Sequence, residues 1–153
     1  MLQRIQTVYL LIIVGLMVVL LFLPLAVLQA GDQLYTFDVM GISTMSATSQ
    51  LIYPTWGLFV LTAAVALIAF ITIFLFKKRI LQIRMCIFNA ILMLGIYGMF
   101  AFFVSHLNGP LADARLSIKF ACALPVVGLI LDYLAIRNIG ADEALVRSLE
   151  RLR

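Results

Sequence analysis

Four long apolar runs constrain this chain more than any other feature of its sequence. They cover residues 7–28, 54–76, 85–104 and 118–136. A helix that crosses a bilayer needs about 20 apolar residues, and each run has about that length. Water cannot satisfy backbone N–H and C=O groups inside a bilayer, so we expect each run to be a helix. The sequence therefore predicts an all-α polytopic membrane protein, a four-transmembrane-helix bundle in which residues 1–153 form a single membrane domain.

The composition agrees with this class and argues against a soluble one. The chain is 65% hydrophobic and 12% charged, whereas soluble domains are about 45–50% apolar and about 25% charged. A formal charge of +4 would suggest nucleic acid as the partner of a soluble protein. In a membrane protein the same cations set the orientation instead. We therefore expect contact with the lipid bilayer and no nucleic-acid partner.

Few side chains could carry catalytic or cofactor chemistry. Cys86 and Cys122 each lie in an apolar run and form no C-x-x-C pair, which is typical of small buried cysteines. His106 is the single histidine, so one chain cannot supply two axial imidazoles to a haem or a His/Cys cluster to zinc. The spans also lack the paired acids, or the nucleophile and base, of an enzyme. We therefore expect no cofactor, no metal and no enzymatic activity.

The distribution of cations predicts the orientation. In a four-span chain the N-terminus, the linker 77–84 and the tail 137–153 share one side of the membrane. Short cytoplasmic segments carry an excess of Lys and Arg. Both termini are therefore expected in the cytoplasm, with the protein in the cell inner (plasma) membrane. Nine of the 11 basic residues fall on the predicted cytoplasmic side: Arg4, Lys77, Lys78, Arg79, Arg84, Arg137, Arg147, Arg151 and Arg153.

The first outer loop, residues 29–53, contains no Lys or Arg. Tyr35, Phe37 and Val39 alternate along it, which is a weak strand signal that Gly41 and the following Ser/Thr-rich stretch are expected to end. The loop is thus expected to form a small hairpin or cap over the bundle. In the second outer segment, Asn108-Gly109-Pro110 predicts a turn.

Two polar residues inside the predicted spans are candidates for function. Asn89 lies about one turn into the third span, where an amide usually forms a hydrogen bond with a neighbouring helix. Asp132 is the single acid in any span, and we expect it to pair with Arg84 or Arg137 near the interface or to be hydrated. The alternative is a proton or cation site at Asp132.

The tail and the basic linker are the predicted interaction segments. Gly140 is expected to end the fourth helix, and Asp142 to cap a short cytoplasmic amphipathic C-terminal helix. Leu145, Leu149 and Leu152 fall on one face of that helix. It could lie on the membrane, fold against the bundle or dock a cytoplasmic partner. The predicted partner-binding residues are Glu143, Leu145, Arg147, Leu149, Arg151 and Arg153, and the predicted lipid-headgroup residues are Lys77, Lys78, Arg79 and Arg84.

Three segments resemble the domain of unknown function 4293 family. They are the opening Met1–Thr7, the linker Lys77–Arg84 and the tail Asp142–Arg153. The resemblance covers the whole chain and implies a small four-span integral membrane protein of Bacteroidota, located in the inner membrane. It brings no catalytic residues.

These observations lead to one expected function and one alternative. We expect a non-catalytic accessory or scaffold subunit whose cytoplasmic tail and basic linker dock a protein partner. The alternative is a small transporter or lipid-binding membrane protein that uses the bundle interior, with Asn89 and Asp132 as polar contacts.

Overall fold

The structure, a computed structural model, describes residues 2–46, 48–107, 111 and 113–151. Helices dominate this part of the chain. A 3-10 turn, Phe120–Ala123, leads into the last of them. The described α-helices are α1 (Leu2–Leu20), α2 (Trp56–Phe74), α3 (Arg79–Ser105) and α4 (Leu124–Arg151).

An antiparallel sheet accompanies the helices, so the all-α prediction is wrong. Its strands are short, and one of them comes from the segment that precedes α4. The described strands are β1 (Ala26–Ala30), β2 (Gln33–Phe37), β3 (Gly41–Thr44), β4 (Leu51–Pro54) and β5 (Arg115–Ile118), in the spatial order β4-β3-β2-β1-β5.

The first predicted span was too long, because its last part forms a strand. Helix α1 ends at Leu20, and residues 26–28, which were assigned to the span, pair with both β2 and β5. Pro24 lacks an amide hydrogen and disfavours helix at the residue before it, so it separates α1 from β1. The fourth span is likewise shifted, since Ile118 belongs to β5 and α4 begins at Leu124.

The predicted hairpin in the first outer loop exists, and it is larger than expected. Tyr35 and Phe37 are buried on one side of β2, which confirms the alternation. Gly31, with φ +61°, makes the tight turn between β1 and β2. Gly41, however, begins β3 instead of ending the strand structure. A Cβ atom there would lie 2.9 Å from the carbonyl oxygen of Tyr53, so β4 can approach β3 closely only beside a glycine.

The helices pack in a ring in which each contacts the next along the chain and α4 contacts α1. The short connection between α2 and α3 makes these two helices antiparallel. The contacts of Arg79 with Asp142 and of Tyr97 with Val126 show that α3 and α4 are antiparallel as well. Their buried faces are largely apolar, with Ile13, Met17, Val65 and Met93 fully enclosed. We call these packed helices the helical body. Its linker end carries the connection between α2 and α3, and its sheet end carries the strands.

The sheet is joined firmly to the sheet end of the helical body. The ring of Phe37 meets the ring of Phe100 edge to face, with centroids 5.0 Å apart. The buried hydroxyl of Thr55, just before α2, donates to the carbonyl oxygens of Asp38 and Val39 at 3.0 and 3.1 Å. The side chains of Phe37 and Thr55 thus fix the position of the sheet on the helical body.

Within the described residues, three helical stretches are long and apolar enough to cross a membrane: α2, α3 and Phe120–Arg151. The apolar part of α1, Ile5–Leu20, is shorter. Large apolar side chains such as Leu67, Phe70 and Ile91 are more than half exposed on the outside of the helices. Apolar helices with apolar outer faces are what a bilayer requires, and they support a membrane protein.

Two helix boundaries near the linker end differ from the prediction. Helix α3 begins at Arg79, so all of the basic linker except Lys77 and Lys78 belongs to the start of this helix. Helix α4 runs without interruption through Gly140 to Arg151, and the predicted helix end at Gly140 with a cap at Asp142 is wrong. Gly140 keeps a negative φ. The neighbouring Ile139 is fully buried, so packing holds this turn in the helix.

Candidate functional site

A groove of about 740 Å³ opens at the linker end of the helical body. One wall is the linker between α2 and α3 together with the start of α3, and the other is the last part of α4. The structure thus brings the two interaction segments predicted separately, the linker and the tail, into one surface. The charged side chains that line it are Lys77, Lys78, Arg79, Arg84, Glu143, Arg147 and Glu150.

One interaction fixes the position of α4 against α3 at this groove. The Arg79 guanidinium lies 3.9 Å from the Asp142 carboxylate, and its Nη1 donates to the Asp142 carbonyl oxygen at 3.2 Å. These two residues are 63 positions apart in the chain. Their side chains are only 24% and 16% exposed, so water screens the pair less than an ordinary surface pair. Asp142 therefore bridges two helices instead of capping one.

A second ion pair lies within α4. Nε of Arg147 donates to Oε1 of Glu143 at 3.1 Å, four residues earlier. This order of charges along a helix stabilises it by a few tenths of a kcal/mol, about 0.2–0.5. In the described part of the chain, Lys77, Lys78 and Arg84 are exposed and have no ion pair. The groove is therefore positively charged, and three of its cations remain free to bind an acidic group.

The apolar face predicted for the tail does not pack on the other helices. Leu145 is 54% exposed and Leu149 is 66% exposed. They lie on the end of α4 but do not line the groove. Arg151 is also exposed, whereas Leu152, Arg153 and the turn 108–110 fall outside the described residues. Of the predicted partner-binding residues, the groove contains Glu143 and Arg147.

The sequence did not identify Asp142, Val146 or Glu150 as part of this surface. A helix break at Gly140 would have placed them on a separate segment. The groove depends on the continuity of α4 and on contacts between residues about 60 positions apart. No local pattern in the sequence reports such contacts.

The polar residues predicted inside the spans lie elsewhere, in the interior of the helical body. Asn89 is 1% exposed and Asp132 is fully buried. The predicted ion pair of Asp132 with Arg84 or Arg137 is wrong, because neither carboxylate oxygen has a hydrogen-bond partner among the described residues. The predicted hydrogen bond from Asn89 to a neighbouring helix is absent for the same reason. The thiol of Cys86 faces the Asp132 carboxyl.

More polar residues are buried nearer the linker end than the sequence predicted. Gln6 is 4% exposed and Gln82 is 3% exposed. Nε2 of Gln82 donates to the carbonyl oxygen of Thr72 at 3.4 Å. The seven-residue spacing of Gln82 and Asn89 is a helical signal that could have been recognised. Within the described residues, no cluster of three His, Cys, Asp or Glu side chains could hold a metal ion.

Comparison with known proteins gives one result. The model of a family described as domain of unknown function (DUF4293) matches residues 2–152, nearly the whole chain. No curated protein and no solved structure matches the chain.

Proposed function

Because the chain belongs to the DUF4293 family, whose description states no activity, we propose a function from its own surfaces. We propose a non-catalytic accessory subunit of the inner membrane whose groove docks a protein partner. The observation that carries this proposal is the groove itself. The basic linker and the end of α4 form one positively charged surface, held together by Arg79 and Asp142.

We propose that all four helices span the bilayer, with both termini in the cytoplasm. The antiparallel ring of helices supports four crossings. The linker lies at the same end as the last turns of α4, and the predicted cytoplasmic segments hold nine of the 11 basic residues. The strands then form a cap on the outer side. This orientation exposes the groove to the cytoplasm, where a partner can reach it.

The partner would present an acidic segment. In the described part of the chain, Lys77, Lys78 and Arg84 offer cationic groups without an ion pair, while Glu150 on the opposite wall repels a second acidic side chain there. Because the two walls carry charges of opposite sign, they favour one position of the partner's acidic segment in the groove.

Reversing the three free cations should abolish docking. The variant Lys77→Glu/Lys78→Glu/Arg84→Glu is expected to lower partner recovery about tenfold or more, because facing like charges cost several kcal/mol. Recovery is measured by crosslinking in the membrane from a photoreactive residue at position 146, followed by purification. Arg79 is left unchanged so that α4 stays in place.

The matched control reverses Arg115 and Lys119, which are exposed at the sheet end, and it should retain the same crosslinked partner. Equal recovery from both variants would contradict docking at the groove. If the triple variant instead loses co-purified anionic phospholipid and retains the protein crosslink, the groove binds headgroups.

Labelling from outside the cell tests the topology. In a background with Cys86→Ala and Cys122→Ala, a cysteine at Ser49 should react with a membrane-impermeant maleimide. A cysteine at Ser148 should react only after the membrane is opened. Both serines are exposed, so access to water depends on the side of the membrane alone. Reaction of position 148 in intact cells would overturn the orientation.

A second candidate function rests on a different observation. Asp132 and Asn89 are buried polar residues without partners among the described residues, and polar groups inside a membrane often mark a transport pathway. This favours the alternative of a small transporter or lipid-binding protein that uses the bundle interior. A flux that requires Asp132 and is unchanged by the groove variant would support it.

A further inference from the structure

Asp132 and Asn89 lie at the same level of the helical body on facing helices. Three contacts establish how α3 and α4 align: Arg79 with Asp142, Met93 over Gly128, and the Tyr97 hydroxyl accepting from the Val126 amide at 3.1 Å. This antiparallel register places Asn89 opposite Asp132. Cys86, one turn from Asn89 on the same face of α3, is in contact with the carboxyl from the other side.

Both side chains are enclosed, and the weakly polar thiol of Cys86 is the group that faces the carboxyl of Asp132. Neither oxygen of Asp132 and neither polar atom of Asn89 has a hydrogen-bond partner in the described part of the chain. A buried polar atom without a partner carries its full desolvation penalty. For an ionised carboxylate that penalty is far larger, and a buried acid without a cation becomes neutral instead. The charge at Asp132 must therefore be neutralised by something that can enter the interior.

Among the side chains that the structure describes, no cation faces this carboxyl. On α3 the titratable group in contact is Cys86, which is neutral as a thiol. The buried faces of α1 and α2, as far as their side chains are described, contain apolar residues, threonines and Gln6. Tyr9 on α1 is partly buried, and Tyr133, Arg84 and Arg137 are exposed. A proton from solvent is then the simplest neutralising group.

The other buried amide side chains lie on the linker side of Asp132. Gln82 lies seven residues from Asn89 toward the linker end, which is about 10 Å along the helix. Gln6 on α1 and Thr72 on α2 are buried polar residues near the same end, and Gln82 donates to the Thr72 backbone. Toward the sheet end, Met17, Met93 and other apolar residues close the interior, and the buried hydroxyl of Thr62 donates to the carbonyl oxygen of Leu58 within its own helix.

We infer that Asp132, with Asn89 beside it, is a proton-binding site inside the helical body, and that protons reach it from the linker end past Gln82. Uptake transfers one proton from water to the carboxylate and changes the buried charge from −1 to zero, while no other bond is made or broken. When it is protonated, the carboxyl of Asp132 donates a hydrogen bond to the side-chain oxygen of Asn89 or to an intervening water. The site is independent of docking at the groove.

Infrared spectroscopy of the purified full chain in lipid nanodiscs tests this inference. At neutral pH the wild-type protein should show the C=O stretching band of a protonated carboxyl. Asp132→Asn, which keeps the size of the side chain, should lose this band. Asp142→Asn should retain it, because Asp142 lies at the linker end and pairs with Arg79. If wild type and Asp132→Asn show the same carboxyl region at neutral pH, the inference is wrong.

Three further variants complete the test. Burial also raises the pKa of Asp38, outside the helices, so Asp38→Asn is measured to assign any band from that residue. Asp132→Glu should show a protonated-carboxyl band at a shifted frequency, and it gives the answer if Asp132→Asn does not fold.

Transfer into D₂O should shift the Asp132 band, and Gln82→Leu should slow that shift at least several-fold. An unchanged rate would overturn entry past Gln82.

Discussion

Phe37→Ala is expected to lower the free energy of unfolding by about 3–5 kcal/mol, the usual cost of removing a buried phenylalanine ring. Phe37 is the last residue of β2 and is fully buried. Its ring lies at 75° to the ring of Phe100 on α3, with centroids 5.0 Å apart. Removing it leaves a cavity where the sheet packs on the helical body, so the sheet and the helices should lose stability together.

Unfolding in detergent, followed by circular dichroism and by protease cleavage between β3 and β4, measures this effect. Phe120→Ala is the matched control, because Phe120 is 80% exposed and its loss leaves no cavity. The control should change stability by about 0.5 kcal/mol or less. Equal effects of the two variants would show that the sheet is not packed on α3 as the structure has it.

Gly140→Pro is the second variant with a large expected effect. Proline in a helix interior costs about 3 kcal/mol or more, since it removes a backbone hydrogen bond and clashes with the preceding turn. Here it would also bend α4 two residues before Asp142 and separate Asp142 from Arg79. We therefore expect lower thermal stability and loss of the groove's second wall.

Gly140→Ala is the matched control, and it is expected to act in the opposite direction. Gly140 has a negative φ, and a Cβ atom there would have no neighbour within 4 Å. Alanine should therefore stabilise α4 by about 0.5–1 kcal/mol.

If Gly140 instead ended the helix in the left-handed conformation, alanine would destabilise the protein and proline nearby would be tolerated. Thermal unfolding of the two variants distinguishes the continuous helix from the interrupted one, and with it the origin of the groove.

The apolar runs predicted where the helices lie, because burying about 20 consecutive apolar residues requires a helix in any apolar surrounding. The alternation at Tyr35 and Phe37 likewise predicted a strand. Boundaries were less predictable. Residues 26–28 are as apolar as the helix before them, and only their pairing with β2 and β5 makes them a strand.

For the candidate site, the sequence indicated which residues carry charge but not which of them come into contact. The sequence alone shows that Lys77, Lys78 and Arg84 lie close together in the chain. Their position opposite Glu143 and Arg147 depends on a continuous α4 and on the pair Arg79–Asp142. A glycine followed by an acid is a common helix boundary, and the local pattern therefore predicted the wrong connection at Gly140.

The sequence by itself determined the helical regions, the apolar outer surface and the clustering of cations in the linker and tail. These properties follow from neighbours three to seven residues apart, and periodicity reports such neighbours directly. The tertiary structure alone decided the addition of β5 to the sheet, the groove, and the burial of Asp132 away from Arg84 and Arg137. Each of these joins residues that are distant in the chain, and only packing determines which of them come into contact.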